Sequence, residues 1–394
     1  MSDCFLPRLG GIEVQVDELA RAQLTADHDV SIATATPCRT PLPGDEAFAV
    51  GGPFSAGRSC VDRPPIGRAP VDQPPVDRLV TPMPWELPVG RSLRPVLEDR
   101  KPDVVHVHAG AVSPFAWRAV LQARREAVPV VLTVHSLWGP ASRGVYRGLF
   151  ASWARNTGGL VVTAVSEAAA APIRQVVGGR LPVRVVANGI DASHWHDFAH
   201  VPMRLRPAGH PLHVVAVGRL APRKEPMNLL RLLREVGAVA PIRATIVGDG
   251  PARGRVERYL RRHGMSGWVR LTGRLDRSAI RVVLARADVF VAPAARESFG
   301  LAALEARLAG LPVVAQAGSG VADFVESGRE GLLGRTFPEM AAALLRLADD
   351  HRLRHRITAH NRATEPVRCT WPAVLEAFDG CYELASAKTP LAHL

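Results

Sequence analysis

Short apolar runs alternate with amphipathic segments along most of the chain. In the first half the runs are "DVSIATAT", "PDVVHVHAG", "VPVVLTVHS" and "GLVVTAVS". In the second half they are "HVVAVGRL", "RATIVGDG", "WVRLTGRL", "DVFVAPA" and "PVVAQAG". Continuous apolar runs of this length are typical of parallel strands that are covered on both faces. The segments between them are helical in pattern, as where Leu229, Leu232, Leu233 and Val236 fall near one face.

Strand and helix in regular alternation predict the α/β class with parallel sheets. Because there are two such series, we expect two doubly wound, Rossmann-like domains, over residues 1–192 and 210–370. The stretch between them is polar and rich in proline, without a strong period. Ligands of open α/β sheets bind beyond the carboxyl ends of the strands. Two domains that face each other across a cleft would therefore hold the working site in that cleft.

Two features interrupt this regularity. Residues 37 to 88 contain 12 of the 33 prolines, which predicts a flexible or extended insertion over about 39–79 with no packed core of its own. In addition, the few residues before "RLGG" contain no β-rich apolar run. We therefore expect the first, central strand of the first domain to be missing.

Composition narrows the class of protein. Of 394 residues, 47% are hydrophobic and 22% charged, a profile that favours a soluble globular protein over a disordered one. No apolar run reaches the roughly 18 residues of a membrane-spanning helix, and no signal peptide is visible. The five cysteines are scattered without metal-ligand spacing, which favours a reducing cytoplasm.

The net charge of +12 favours anionic partners: phosphorylated small molecules, an anionic membrane surface or nucleic acid. Arginine-rich, solvated helix faces are the alternative explanation. Aromatic residues make up only 5% and do not alternate with the basic clusters, so nucleic acid is the least favoured of these partners.

The stretch "ARESFGLAALEARLAG" places Glu297 and Glu305 in an apolar, helix-forming run that follows a predicted strand. Unpaired first-turn N–H groups near Ser298, Phe299 and Gly300 would favour an anion. Eight helical residues span about 12 Å, which suits a ligand with hydroxyls at both ends and phosphates between. This spacing is too long for the carboxylate pair of a retaining glycosidase. Alternatively, Glu305 is only a surface residue of an amphipathic helix.

A second stretch, "VGRLAPRKEP", places Arg219 and Lys224 directly after another predicted strand. Two cations opposite a helix N-terminus would neutralise a diphosphate. On its own this motif is weak, because basic loop residues are usually solvated.

Taken in order, the motifs resemble those of the retaining glycosyltransferases of the GT-B fold, glycosyltransferase family 4 in particular. The matching segments are "LPRLGGIE", "DVVHVHAG", "TVHS", "AVSEAAA", "VVANGID", "VGRLAPRKE", "IVGDGP", "VRLTGRL", "ESFGLAALEARLAGLPVVA" and "GREGLL". The resemblance covers nearly everything except residues 39–79. One departure is "KEP", where the family usually has lysine followed by glycine.

The resemblance implies roles for individual residues. Glu297 would hold hydroxyls of the transferred sugar, Glu305 the ribose of the nucleotide, and His135 would reach the donor sugar. The implied catalytic residues are His135, Glu297, Arg219 and Lys224. The implied donor-binding residues are Gly10, Gly11, Arg219, Lys224, Gly273, Leu275, Phe299, Gly300, Leu301 and Glu305.

The implied reaction moves a hexose, mannose or glucose, from a nucleoside diphosphate sugar to a lipid or glycan acceptor with retention. GDP-mannose is preferred because the chain resembles mannosyltransferases of actinobacterial envelope biosynthesis. The sugar nucleotide is a co-substrate, and no metal or other cofactor is expected. The resemblance further implies that a helix over 371–388 returns to the first domain, and that the enzyme is cytoplasmic or peripheral at the inner face of the plasma membrane. A nucleotide-sugar epimerase of the same fold and a non-catalytic nucleotide-sugar-binding relative are the alternatives.

Three further motifs are weaker, and each has two possible interpretations. His106 and His108 face the same side of a strand, where they either bind a metal with further ligands or line the cleft. "GDGPARG" resembles a dinucleotide fingerprint, but its spacing favours a simple turn. Tyr146, Phe150 and Trp153 share a helical face, which is either an interfacial membrane face or, as we favour, a core stripe.

Overall fold

A computed structural model describes residues 1–3, 5, 10–36, 60–62, 74–79, 92–110, 112–153, 158–196 and 210–387. These residues group into two compact units. The first unit comprises Met1–Val165, Ala169–Gly189 and Trp371–Leu394, and the second comprises Ser166–Ala168 and Ile190–Thr370.

Strands and helices alternate in both units. The strands are β1 (Ile32–Thr34), β2 (Cys60–Asp62), β3 (Val76–Arg78), β4 (Val105–Ala109), β5 (Val130–Val134), β6 (Leu160–Ala164), β7 (Val183–Val185), β8 (Leu212–Val217), β9 (Ile242–Val247), β10 (Val269–Gly273), β11 (Val289–Ala292), β12 (Val313–Gln316) and β13 (Gly331–Gly334). The helices are α1 (Gly11–Thr25), α2 (Arg94–Arg100), α3 (Pro114–Arg125), α4 (Pro140–Trp153), α5 (Glu167–Val177), α6 (Ser193–His196), α7 (Pro226–Gly237), α8 (Arg253–Arg262), α9 (Arg277–Ala285), α10 (Leu301–Leu308), α11 (Phe337–Asp349), α12 (His351–Ala363) and α13 (Trp371–Ala387).

The sheet of the first unit is parallel over β4, β5, β6 and β7, in that order. Strands β5 and β6 are buried along their whole length, as their continuous apolar runs predict. On one face, α1 and α13 pack over Val131, Val161 and Val186. Helix α13 begins directly over Gly189, where a Cβ would lie 2.4 Å from the Trp371 ring.

The first residues of the chain lie between β1 and β4. From the sequence we expected the central strand of this sheet to be missing. Ser2 forms parallel bridges with Thr34 of β1 and with His108 of β4. Its N–H donates to the carbonyl of Ala33 at 3.1 Å, and the N–H of His108 donates to the carbonyl of Met1 at 2.8 Å. Among the described residues no regular strand precedes α1, but these isolated bridges give some backbone groups of both neighbouring strands a partner.

Asp3, the next residue, connects this segment to helix α3. Its carboxyl oxygens accept from the N–H groups of Phe115 and Ala116, at 2.9 and 3.3 Å, at the start of α3. Burial raises the pKa of Asp3 to about 6, although these hydrogen bonds oppose the shift. The carboxyl group therefore anchors the first residues of the chain to α3.

Within the predicted proline-rich insertion the structure describes two short strands, and both belong to the sheet of β1. Strand β3 pairs in parallel with β1, and β2 pairs antiparallel with β3. Arg78 is buried and donates to the carbonyl of Thr36 at 3.1 Å. The reason is local: the residues after Pro75 keep their N–H groups, so the prolines flank the ladder without interrupting it. Residues 39–59 and 63–73 of the predicted insertion lie outside the described residues.

The second unit has one parallel sheet in the order β10-β9-β8-β11-β12-β13. From β8 the chain proceeds outward to β9 and β10, and from β11 it proceeds outward in the opposite direction. The strand order therefore reverses between β8 and β11. In open α/β sheets, such a reversal marks the crevice where ligands bind, beyond the carboxyl ends of the two strands.

The aromatic face of α4 is a core stripe, which was the favoured of the two readings. Tyr146 and Phe150 are buried, and Tyr146 stacks on Trp138 with ring centroids 4.1 Å apart. The side chain of Trp153 lies outside the described residues. No helix in the described parts of the chain is both long enough and apolar enough to cross a bilayer.

A chain of hydrogen bonds ties α1 and α13 to the sheet of the first unit. Gln23 Nε2 donates to the Tyr382 hydroxyl at 2.8 Å, and that hydroxyl lies 2.9 Å from His106 Nδ1. His106 Nε2 is 2.7 Å from Thr133 Oγ1, which is 2.6 Å from Thr163 Oγ1. Because the amide can only donate, the Tyr382 proton goes to Nδ1, and His106 carries its own proton on Nε2.

We expect Tyr382→Phe to lower the free energy of unfolding by about 1–3 kcal/mol, because it leaves a buried imidazole nitrogen without a donor. Tyr259→Phe is the matched control. The Tyr259 hydroxyl is buried and has no partner among the described residues, so its removal should be neutral or stabilising. Urea unfolding of both variants measures the difference. Equal losses in the two variants would contradict the role given to this chain of bonds.

Candidate functional site

The loop after β8 carries Arg219 and rests on the turn between β9 and α8. The N–H of Leu220 donates to the carbonyl of Asp249 at 2.9 Å, and the N–H of Ala252 donates to that of Leu220 at 2.8 Å. A Cβ at Gly250 would lie 2.5 Å from the Leu220 oxygen, so only glycine permits this approach. The "GDGPARG" segment is thus a supporting turn, and it leaves Arg219 exposed at the end of the strand.

Lys224 closes a short 3₁₀ turn, Pro222–Lys224, that leads into α7. The next residue, Glu225, has φ 50° and ψ 46°, the left-handed conformation that glycine adopts without strain. Glu225 therefore adopts, with a side chain, a backbone conformation that favours glycine. Asn228 Nδ2 donates to Glu225 Oε2 at 2.9 Å, which helps to hold this conformation.

The loop after β11 is held from below by the segment that follows β12. The N–H of Gly320 donates to the carbonyl of Glu297 at 2.9 Å. Phe299 is 2% exposed and packs on Phe324, with ring centroids 5.3 Å apart. Gly300 has φ 96°, and a Cβ there would lie 2.7 Å from Val321 Cγ2. Packing and backbone conformation together fix the entry into α10.

Helix α10 begins at Leu301, directly after the "ARESFG" loop, so the stretch from Glu297 to Glu305 is not continuous helix. Glu297 lies in the loop, and Glu305 lies in the second turn of the helix. The estimate of about 12 Å between the two glutamates assumed a continuous helix, which the structure does not show. The N–H groups of Phe299, Gly300 and Leu301 have no acceptor among the described residues, so this helix end presents free donors.

Both glutamates are paired with cations from other elements. Lys224 Nζ donates to Glu297 Oε2, and their side chains are 31% and 14% exposed. Arg277 Nε lies 3.5 Å from Glu305 Oε1. The structure thus brings together Lys224 and Glu297, which the sequence placed in separate motifs. It also adds Arg277, which sequence reasoning missed; its only signal was a position just after the expected base-contact segment.

The predicted base-contact residues lie at the end of β10. Gly273 has φ 75° and accepts from the N–H of Gly248 at 2.8 Å, and Leu275 is half-buried. Arg253 Nη1 would lie 3.2 Å from a Cβ on Gly273. Arg253 is itself held by carboxylates on both sides, by Asp249 at 3.2 Å and Glu257 at 2.8 Å.

His135, Gly10 and Gly11 belong to the first unit. His135 follows β5, and its Nε2 lies 3.0 Å from His108 Nδ1. Together with Gln15, Thr133 and Asn188, both imidazoles line a small cavity of this unit. Burial lowers the pKa of His135 to about 4 and that of His108 well below its ordinary value, so both rings are neutral at pH 7.

Two neutral imidazoles that share one hydrogen bond have coupled tautomers. If His108 donates, His135 carries its proton on Nδ1; if His135 donates, its Nδ1 is an acceptor. His108 Nε2 takes the complementary state in each case. The pair therefore offers one donor and one acceptor at its two outer nitrogens, which suits binding of a hydroxyl group.

Gly10 and Gly11 form the start of α1. Gly10 is the extended cap residue, and Gly11 is the first helical residue. The Glu13 carboxylate folds back over this end, so that a Cβ on Gly10 would lie 2.4 Å from its Oε2. Glu13 is buried, and sequence reasoning missed it although an acid three residues after a helix cap is a familiar capping signal.

His106 is fully engaged by protein groups at both ring nitrogens, as described above. A metal ion at this residue would have to displace Tyr382 or Thr133. Within the described part of the chain, no three or more histidine, cysteine, aspartate or glutamate side chains are grouped so that they could hold a metal ion. His108, the other histidine of the pair, lies beside the small cavity.

We expect Gly300→Ala to lower the free energy of unfolding by about 1–3 kcal/mol, because the new Cβ meets Val321 and the backbone is left-handed. Gly254→Ala is the control: it lies inside α8 with no atom within 4 Å of the added Cβ. That change should stabilise the protein by about 0.5–1 kcal/mol. Urea unfolding of both variants tests the contrast, which would disappear if the loop were free to rearrange.

The buried imidazoles predict a loss of stability in acid. His106, His108 and His135 have lowered pKa values, so below about pH 6.5 the unfolded chain binds protons that the folded chain does not. His135 alone, shifted from 6.5 to about 4, corresponds to roughly 3 kcal/mol. Asp3 acts in the opposite direction, because its folded pKa is raised from 3.8 to about 6.

Three imidazoles outweigh one carboxyl, so the free energy of unfolding should fall as the pH is lowered from about 6.5 towards 4. Urea titrations across this range measure the slope. His135→Asn should make the slope shallower, because one of the shifted groups is removed. A slope that is flat, or unchanged in that variant, would contradict the burial of the pair.

Comparison with known proteins agrees with this arrangement. Residues 9–194 match the model of Glycosyltransferase Family 4, and residues 204–364 match that of glycosyl transferases group 1. Glycogen synthase of Mycobacterium tuberculosis is 30% identical over 288 residues, which cover 68% of this chain and 67% of that protein. The GDP-mannose-dependent alpha-mannosyltransferase of the same organism is 30% identical over 318 residues, covering 77% and 78%.

Among solved structures, Anabaena Alr3699/HepE in complex with UDP and glucose superposes with a TM-score of 0.68 at 17% identity. The match covers 97% of this chain and 100% of that one. At this identity the likeness concerns the fold. With both family models matched in order and a relative of 30% identity aligned over most of its length, the chain is a glycosyltransferase of the GT-B fold and belongs to glycosyltransferase family 4.

Proposed function

We propose that the chain transfers a hexose from a nucleoside diphosphate sugar to an acceptor, with retention at the anomeric carbon. The observation that carries this proposal is the pairing of Lys224 with Glu297 beside the free N–H groups of α10. The Lys224 ammonium, the Glu297 carboxylate and the N-terminus of α10 therefore lie at the carboxyl ends of β8 and β11. That combination suits a sugar joined to a diphosphate.

The diphosphate is assigned to Arg219, Lys224 and the first N–H groups of α10. Arg219 is exposed and makes no ion pair with any described residue, so its guanidinium is available for a bidentate phosphate contact. As the sugar–phosphate bond breaks, negative charge develops on the leaving oxygen. Fixed cations and oriented N–H groups stabilise that charge, which is why we propose a reaction without a divalent metal.

The ion pair at Lys224 is then an exchange site. In the donor-free protein the ammonium and the Glu297 carboxylate neutralise each other in a partly buried place. Phosphate oxygens of a bound donor would compete for the ammonium, and sugar hydroxyls would occupy the released carboxylate. Each charged group keeps a partner throughout, so neither is left desolvated and alone.

Glu305 and the end of β10 are assigned to the nucleoside. A carboxylate accepts two hydrogen bonds from a ribose diol, and Arg277 orients it from the other side. The backbone from Gly273 to Leu275 is assigned to the base. Because Arg277 lies beside Glu305, its guanidinium is a candidate contact for acceptor atoms of the base.

We propose that the reaction proceeds with retention but without a covalent enzyme intermediate. Glu305 is paired with Arg277, and Glu297 is assigned to hydroxyls of the sugar, so neither carboxylate is proposed as the nucleophile of a double displacement. We therefore propose attack from the face of the departing phosphate. The acceptor oxygen bonds to the anomeric carbon, the carbon–phosphate oxygen bond breaks, and a phosphate oxygen takes the acceptor proton. His135 is assigned to a hydroxyl of the donor sugar, and Gly10 and Gly11 to the phosphate and acceptor side.

For the donor we propose GDP-mannose first and UDP-glucose second. The relative named a GDP-mannose-dependent alpha-mannosyltransferase supports the first, and the neighbour in complex with UDP and glucose supports the second. A lipid or glycan acceptor and a cytoplasmic, membrane-peripheral location complete the proposal. The net charge of +12 supports an anionic acceptor or surface.

We expect Glu305→Ala to weaken binding of GDP or UDP about 10–100-fold, because a charged hydrogen bond to ribose is lost. Glu297→Ala should leave nucleotide binding within a few-fold and abolish transfer. Isothermal titration with nucleotide, and transfer assays with GDP-mannose and UDP-glucose, measure the two effects. Glu235→Ala, an exposed carboxylate on α7, is the control and should change neither. Full activity in both site variants would refute the assignment.

A further inference from the structure

Helix α8 presents four arginines on its solvent side. Arg255, Arg258, Arg261 and Arg262 are all exposed. At about 100° per residue they fall within roughly 120° of arc, directly opposite the buried positions Val256 and Leu260. Only Gly254 shares this arc with them, so the face is uniformly basic. We call these four residues the arginine face.

The arginine face carries uncompensated charge. None of its four members forms an ion pair with a described residue. The one acid of the helix, Glu257, is already paired with Arg253 at 2.8 Å. Four positive charges therefore lie within about 10 Å along the helix axis without a counter-charge among the described residues. Such a concentration of charge attracts an anionic partner more strongly than scattered basic residues do.

Neighbouring elements extend the same character. Arg231 on α7, the helix that packs beside α8, is exposed. At the end of α7, Gly237 lies against Trp268 in the loop after α8, with a contact of 3.0 Å from an added Cβ. Two residues further on, Val239 is 75% exposed. The surface is therefore cationic, with an aliphatic side chain at its edge.

The shape and chemistry of this surface indicate which anion it fits. A helix face is convex and does not enclose a small anion. Guanidinium groups bind phosphate bidentately, but a nucleic acid strand is usually also held by stacked aromatic rings. The nearest ring, Tyr259, is occupied by Arg234, whose guanidinium lies 5.8 Å from its centroid. A plane of phosphate groups with apolar chains beneath matches both the arginines and Val239.

We propose that the arginine face of α8, together with Arg231, docks the second unit on a membrane surface rich in anionic phospholipids. None of these residues is among those assigned to the donor. Docking would bring the enzyme to acceptors held in such a membrane. Because the attraction is electrostatic and exposed, it weakens as salt is raised.

The test compares two variants with the same change in charge and the same spacing. Arg258→Glu/Arg262→Glu alters the arginine face, and Arg352→Glu/Arg356→Glu alters two exposed arginines on α12. The full-length protein is sedimented with vesicles of phosphatidylcholine plus phosphatidylglycerol, and with vesicles of phosphatidylcholine alone. Each basic residue near such a surface contributes about a fivefold increase in binding. The α8 variant should therefore bind the anionic vesicles at least about 25-fold more weakly, and the α12 variant should bind like the unaltered protein.

Nucleotide binding by isothermal titration separates this proposal from the proposed function. Both double variants should bind GDP or UDP as the unaltered protein does, since no donor residue is changed. The docking proposal is overturned if the unaltered protein ignores anionic vesicles or if both variants lose binding equally. It is also overturned if the α8 variant loses affinity for a nucleic acid duplex but not for the vesicles, because the face would then serve a different polyanion.

Discussion

The parallel pairing of β8 with β11 is the constraint on which the candidate donor site depends. Val214 lies opposite Val289 and Val215 opposite Phe290, so both strands end at the same edge of the sheet. The chain departs from these two strands in opposite directions, which leaves room between their loops. Lys224 and Glu297 can meet for this reason, although 73 residues separate them along the chain.

Polar side chains that are buried or partly buried find different kinds of partner in the two units. In the second unit, opposite charges meet in pairs at partly exposed loop ends, where water still moderates the cost of desolvation. In the first unit, three imidazoles are kept neutral by burial; His106 is joined to hydroxyl groups, and His108 and His135 are joined to each other. Charged pairs can exchange one partner for a phosphate, whereas neutral imidazoles offer hydrogen-bond donors and acceptors. The first arrangement suits binding of an ionic donor, and the second suits orientation of hydroxyl groups.

Rigid support under the site loops is a shared feature of these elements. The close backbone approaches at Gly250 and Gly300, and the left-handed turn at Glu225, set the directions in which Arg219, Glu297 and Lys224 leave their strands. Little reorganisation is then needed when a ligand arrives, and this lowers the entropic cost of binding. The arginine face of α8 has no such support and needs none, because attraction between charges over a broad surface tolerates variation in geometry.

The sequence by itself determined the α/β class, the positions of β1, β4–β6 and β8–β12, and the two motifs that contain Lys224 and Glu297. These follow from periodicity and from short motifs, which are local properties of the chain. Only the tertiary structure decided that Ser2 fills the central position of its sheet, that Arg277 faces Glu305, and that Tyr382 meets His106 across 276 residues. Such contacts join residues that share no local pattern, and they are chosen by the packing of whole elements and by the need of each buried polar group for a partner.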